Sequence, residues 1–347
     1  GLTVPEGHSV HRIARQFDRN FVGRRVSASS PQGRFVEGAS ILDGRTVTAV
    51  QAVGKQMFME FDGGVWLRVH LGIYGAWDFA GEIMIDPTIA SANGRMGHTN
   101  QRGTVVDAGV ASAAGVDTAV FDSAGENSLA SIGAPRKARV HVRMSEETSG
   151  LPDAPDERDF PPEPVGAVRL RLLTDVTVAD LRGPTACQVQ TPDEVEATIA
   201  KLGPDPLLDD GPVAEQRVVD TIRSKQTSIG RLLMDQSVIA GIGNVYRAEM
   251  LFRARLNPHT PGKKVPEDLV REMWRDWSRL LRVGVETGQM MTMDDLEGEE
   301  YRLAMANRAD RHWVYHRAGL PCRVCGTEIV LEEMAARKLY WCPACQE

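Results

Sequence analysis

Nowhere in the 347 residues is there an apolar run approaching the roughly 18 residues that a membrane-crossing helix needs. No basic stretch followed by an apolar one stands near the start, so no secretory leader is expected and the protein is read as cytoplasmic, with no membrane partner. Aromatic residues are only 6%, which leaves the core mainly to aliphatic side chains. Cysteine is rarer still, five in all, and four of these lie in the last 26 residues. No internal repeat is visible. What is present, 42% hydrophobic and 25% charged residues, excludes a disordered, collagenous or coiled-coil chain and fits two or three globular domains.

The formal net charge of −7 argues against a nucleic-acid partner until its distribution is considered. Met144 to Val165 holds seven acids and one base, Arg158, whereas Arg217 to Arg282 holds thirteen Lys/Arg against seven Asp/Glu. A basic half is hidden in the acidic average.

Along the chain, Val10, Ile13, Ala14 and Phe17 recur at helical spacing, with Ser9 as the expected cap. Met57, Met59 and Phe61 alternate along a strand, and Asp62-Gly63-Gly64 before Val65-Trp66-Leu67 predicts a hairpin. Residues 87–134 and 145–164, rich in small polar residues and in acids and proline respectively, read as loop or disordered insertions, separated by a strand-like piece, Lys137–Met144. Alternation resumes at Val168–Leu173. From Pro192 the pattern is helical, and Pro266-Glu267-Asp268 starts a helix carrying Leu269, Met273, Trp277 and Leu281 every fourth residue. Residues 288–311 read as polar and irregular.

Cys322-x2-Cys325, sixteen residues, then Cys342-x2-Cys345 is the spacing of two knuckles gripping one tetrahedral ion, so a structural Zn2+ is expected, one per chain. Two disulfides are the weaker alternative in a reducing compartment. Cys187 stands alone and reads as a small packed residue. Gly241-Ile-Gly-Asn244 would start a helix whose free amides suit a phosphate, with Asn244 as its cap and Arg247, Arg253 and Arg255 adding charge; an ordinary helix corner explains the same residues. Lys55 after Gly54 starts an apolar strand, and Pro5-Glu6-Gly7-His8 opens the first helix. A proline with a free amine is a secondary amine able to condense with a sugar carbon.

Taken in order, Pro5-Glu-Gly, Gly54-Lys55, His70-Leu-Gly-Ile-Tyr-Gly75, Met234-Asp-Gln, Gly241-Ile-Gly-Asn-Val-Tyr-Arg247 and Arg337-Lys-Leu-Tyr-Trp-Cys-Pro-Ala-Cys-Gln346 resemble the formamidopyrimidine-DNA glycosylase/endonuclease VIII family. The Pro-Glu-Gly opening is more similar to the endonuclease VIII branch. The resemblance implies an α+β multidomain chain: an N-terminal β-sandwich with an N-terminal helix over 5–190, a helix–two-turn–helix domain over 191–311, and a zinc-ribbon hairpin over 312–347. It implies a monomer that binds double-stranded DNA bearing a damaged base or abasic site, and acts as glycosylase and abasic-site lyase on oxidised bases, pyrimidines foremost. Pro5 would be the nucleophile, Glu6 the acid/base, and Lys55 a contact to the phosphate beside the lesion. Asn244 and Arg337 would hold phosphates around a flipped nucleotide, Ile73 would be the wedge, and Arg182 a second filler of the vacated space.

Gly1–Val4 precede Pro5 and would tie its nitrogen into an amide. Translation from position 4, with loss of the initiating methionine, would free it. Were the four residues retained, the alternative is a non-catalytic damaged-DNA-binding protein on the same scaffold. An unrelated zinc-ribbon module leaves Pro-Glu-Gly and Gly-Lys unexplained.

Overall fold

The computed structural model describes residues 4–84, 103–105, 131–133 and 159–347. The chain divides into two units: residues 1–199 with 285–288, and 200–284 with 289–347.

The first unit begins with α1 (Gly7–Phe21), whose cap position is taken by Glu6 and not by Ser9, which lies in the first turn. Chain order then gives β1 (Ser27–Ser29), α2 (Val36–Leu42), β2 (Val47–Val53), β3 (Gln56–Phe61), β4 (Val65–His70), β5 (Ala76–Ile83), β6 (Gly103–Val105), β7 (Ser131–Gly133), β8 (Val168–Leu173), β9 (Thr177–Arg182), β10 (Ala186–Gln190) and α3 (Pro192–Ala200). One sheet runs β1-β8-β9-β5-β6 with β7 also on β5; the other runs β10-β4-β3-β2. The expected hairpin is present, Phe61 facing Val65 across Asp62-Gly63-Gly64, with both glycines at positive φ. Residues 103–105 and 131–133 pair with β5, so the stretch 87–134 is not loop throughout. Lys137–Met144 and most of 145–164 lie outside the described residues.

Alternation explains the sandwich. Met57, Met59, Phe61, Leu67 and Val69 of one sheet and Trp77, Phe79, Leu170, Leu172 and Leu181 of the other are buried in one cluster, together with the stripe Val10, Ile13, Ala14, Phe17 and Phe21 of α1. Phe17 is its aromatic centre, with ring centroids 4.6 Å from Trp77, 5.0 Å from Phe21 and 5.1 Å from Phe79.

The second unit contains α4 (Pro212–Arg223), α5 (Ile229–Leu232), α6 (Asn244–Arg253), α7 (Glu267–Thr287, whose last residues from Val285 are counted with the first unit), α8 (Gly298–Ala306) and the hairpin β11 (Val330–Met334)–β12 (Arg337–Trp341). Helix α7 starts where Pro266-Glu-Asp predicts, and Met273, Trp277 and Leu281 are buried. Residues 288–311 are less irregular than their polarity suggests: α8 closes a small cluster of Met291, Met293, Ala304 and Met305. Gln236 fixes the two turns before α6, donating to the carbonyls of Met234 and Ile242 and accepting from the Gly241 amide. No helix of the described residues is long and apolar enough to cross a membrane.

Truncating Phe17 to alanine leaves a cavity between α1 and both sheets, with a loss of about 3–5 kcal/mol expected; urea unfolding of the variant measures it.

Candidate functional site

Local lengths bring the N-terminal candidates together. Val22, just after α1, bridges to Val47 at the start of β2, and α1 packs along β2. The 15-residue helix spans about 22 Å, and the seven-residue strand covers about the same. From their shared junction both reach one end of the unit, where Pro5 and Glu6 precede the helix and Gly54-Lys55 turn β2 into β3. Gly54 has φ +60°, cheap only for glycine, and the pair Val53–Gln56 closes the turn. Lys55 is therefore a turn residue and not the first of a strand. His70 faces Gln56 from the end of β4, and the loop to β5 begins there.

Glu6 is buried, and its side chain does not cap α1; the helix is capped by the Glu6 carbonyl, which accepts from the amides of Ser9 and Val10. The Leu71–Gly75 loop is closed by the Gly75 amide on the Leu71 carbonyl, with Leu71 buried as an anchor. A Cβ at Gly75 would lie 2.3 Å from that carbonyl, so only glycine fits. The tip presents Ile73 at 44% and Tyr74 at 69% exposure. Two apolar side chains held out into water suit insertion into a base stack. Tyr74 was missed by sequence reasoning, although it sits beside Ile73 in the quoted motif.

Arg182, the expected second filler, ends β9 inside the sheet. It is buried, ion-paired with Asp78 at 2.5 Å, and reaches the Val165 carbonyl at 3.5 Å. The Arg182 side chain is thus engaged within the sheet, whereas Tyr74, next to Ile73, is exposed.

In the second unit, α6 is capped by Gly243, and Asn244 is its first residue. The Asn244 side chain donates to the Lys338 carbonyl at 2.7 Å and accepts from Arg247 Nη2 at 2.7 Å. Arg247, fully buried, also donates to the carbonyls of Gly230, Met334 and Arg337. The expected cap and its neighbouring charge are thus a clamp that holds the β11–β12 turn on α6. Arg253 is spent on Asp276 and Asp294, and Arg255 stacks on Phe252 and donates to its carbonyl. Arg247 is buried and Arg253 half-buried, and Arg255, though exposed, lies past the far end of α6 from Gly243. Glu249, on the same helix, is buried and accepts from the amides of Trp313, Val314 and Tyr315 and from the Thr292 hydroxyl. Burial pushes its carboxyl up, against four hydrogen bonds that favour the anion. Arg337 starts β12, is half-buried, and its side chain has no carboxylate partner among the described residues.

The four cysteines of the tail come together with all ligand atoms within 4.8 Å of one another; Sγ–Sγ is 3.9 Å for Cys322–Cys345 and 3.5 Å for Cys325–Cys342. A tetrahedral ion with metal–sulfur bonds of about 2.3 Å places sulfurs about 3.8 Å apart, so the donor set fits a metal with every position filled. Cys187 packs on the sandwich core, its thiol pushed up to about 12 by burial.

His70 was also missed by sequence reasoning. Burial, then Arg68, then Lys55 hold its pKa below the ordinary 6.5. The unfolded chain therefore takes up the proton first as pH falls. The contribution to stability is complete above about pH 6.5 and lost as pH drops from there to the lower folded pKa. Thermal melts between about pH 5 and 7.5 should show a steeper acid loss for the wild type than for His70→Gln.

Three family models match the chain: the formamidopyrimidine-DNA glycosylase N-terminal domain over residues 4–115, the formamidopyrimidine-DNA glycosylase H2TH domain over 202–295, and a zinc finger found in FPG and IleRS over 319–347. Endonuclease 8 1 of Mycobacterium tuberculosis strain H37Rv is 34% identical over 343 residues, which cover 99% of this chain and all of that protein. In fold, the chain is similar to MutM (Fpg) of Thermus thermophilus (TM-score 0.60, 21% identity, 99% of this chain and 98% of that one). It is similar to a like degree to Lactococcus lactis Fpg in complex with abasic-site DNA (TM-score 0.62, 18% identity, 99% of each chain). With a full-length relative at this identity, the chain belongs to the formamidopyrimidine-DNA glycosylase/endonuclease VIII family of base-excision repair DNA glycosylases.

Proposed function

We propose that the protein is a bifunctional glycosylase and abasic-site lyase that removes oxidised bases, pyrimidines foremost, from double-stranded DNA. The observation that carries this reading is the gathering of Pro5, buried Glu6, Lys55, His70 and the exposed Ile73–Tyr74 tip at one end of the first unit. Extruding a nucleotide costs a few kcal/mol; the tip would fill the gap it leaves. Lys55, Arg337 and the first-turn amides of α6 at Asn244 would hold the phosphates.

In this mechanism the Pro5 nitrogen attacks C1′, the C1′–O4′ bond breaks as Glu6 protonates the ring oxygen, and the base leaves with the proton given up by the Pro5 nitrogen. The resulting iminium ion acidifies C2′. Loss of that proton expels the 3′-phosphate, and water then releases Pro5 from the sugar. All of this needs Pro5 as first residue. Since Gly1–Val4 stand before it in the sequence, a non-cleaving damaged-DNA binder is the second reading. Either activity places the protein on chromosomal DNA in the cytoplasm, and a monomer suffices.

The metal of the four-cysteine site is proposed to be Zn2+, which four thiolates leave without an open position; it folds the tail and does no chemistry. Chelation should disorder the ribbon and weaken binding to an abasic-site duplex at least tenfold while the β unit stays folded, measured by circular dichroism and fluorescence anisotropy. Unaltered binding after verified metal loss counts against the ribbon as a DNA clamp.

The deciding experiment is borohydride trapping on a dihydrouracil or abasic-site duplex. Protein beginning at Pro5 should form a reducible covalent complex, Glu6→Gln should lose base release, and protein proven to retain Gly1–Val4 should bind without trapping. Full trapping by the last would remove Pro5 as nucleophile.

A further inference from the structure

One cation near Lys55 and His70 has no role in the proposal above. Arg68 lies on β4, level with Phe58 of β3 and Gln188 of β10, on the sheet face that also carries Gln56 and His70. Its guanidinium is aimed by two neutral amides: Nε donates to Gln56 Oε1 at 2.6 Å and Nη1 to Gln188 Oε1 at 2.9 Å. It has no carboxylate partner among the described residues. The acid on the same face, Glu60, accepts from the Thr48 hydroxyl at 2.7 Å, toward the opposite edge from β10. Burial holds the pKa of Arg68 below the ordinary guanidinium range.

Two buried strand arginines, Arg171 and Arg182, are by contrast matched by acids, Asp180 and Asp78. Glutamine fixes a guanidinium's direction without cancelling its charge, so the charge remains for an anion from outside. Arg68 and His70 lie two strand steps apart, about 7 Å. That is close to two base-pair rises along a duplex, so a phosphate at Arg68 would be a different one from any beside His70.

We propose that Arg68, oriented by Gln56 and Gln188, binds a DNA phosphodiester and extends the phosphate contacts beyond Lys55. The inference rests on the glycosylase reading, since it takes DNA as the ligand.

The probe is a duplex carrying a tetrahydrofuran abasic-site analogue, with Kd measured by anisotropy from about 50 to 200 mM salt. Arg68→Gln should bind about tenfold more weakly and lose about 0.9 from the slope of log K against log salt, with its melting temperature close to wild type. Gln188→Glu leaves Arg68 in place but sets a carboxylate against it, so it should lose the same slope even if Arg68→Gln folds poorly. The double variant should lose no more. Arg337→Gln serves as the reference phosphate contact. If it flattens the slope while Arg68→Gln and Gln188→Glu do not, the Arg68 assignment is overturned and the DNA reading stands. If the wild type does not bind the duplex, both readings fall.

Discussion

The position of the candidate catalytic end depends on the burial of one stripe of α1. Phe17 sits among Phe21, Trp77 and Phe79 at the centre of the sandwich core, and the helix can bury Val10, Ile13 and Phe17 in one rotation only. That rotation, with the Val22–Val47 bridge at the other end, sets where Pro5 and Glu6 emerge relative to the β2–β3 turn. Core packing and the position of the buried Glu6 carboxyl are therefore one constraint.

The second unit solves a different problem. A ribbon of some thirty residues has little apolar core, so apart from its metal site it is held by polar contacts to helix α6. Asn244 and Arg247 take the carbonyls of the hairpin turn, and Glu249 takes three amides of the entering chain. Buried charges of this kind persist because backbone partners satisfy them; removing one side would strand the other. The turn itself uses Ala335 and Ala336 at φ +56° and +59°, a conformation costly for alanine, which the clamp from α6 helps to hold.

Arginine has two distinct uses in the molecule. Arg171, Arg182 and Arg253 are matched by carboxylates and are structural. Arg68 and Arg337 have no carboxylate partner among the described residues. Sequence composition cannot separate the two groups, since all five are arginines within or beside apolar stretches. What separates them is which side chain comes within about 3 Å across a sheet or between helices.

Much was legible in the chain itself. Period-two alternation in Met57–Phe61 and Val168–Leu173, the glycines of the Asp62-Gly63-Gly64 turn, the four-residue repeat of α7 and the cysteine spacing each follow from local geometry, and local geometry is written in adjacent residues. The order of short motifs carried the family. The capping of α1 and α6, the employment of Arg182, Arg247 and Asn244, and the helix within 288–311 were decided by partners far away in sequence: Asp78 for Arg182, Met334 and Lys338 for the α6 clamp, and Met291 and Met293 for α8. A polar side chain's task depends on which groups lose water beside it, and the sequence specifies that only through the completed fold.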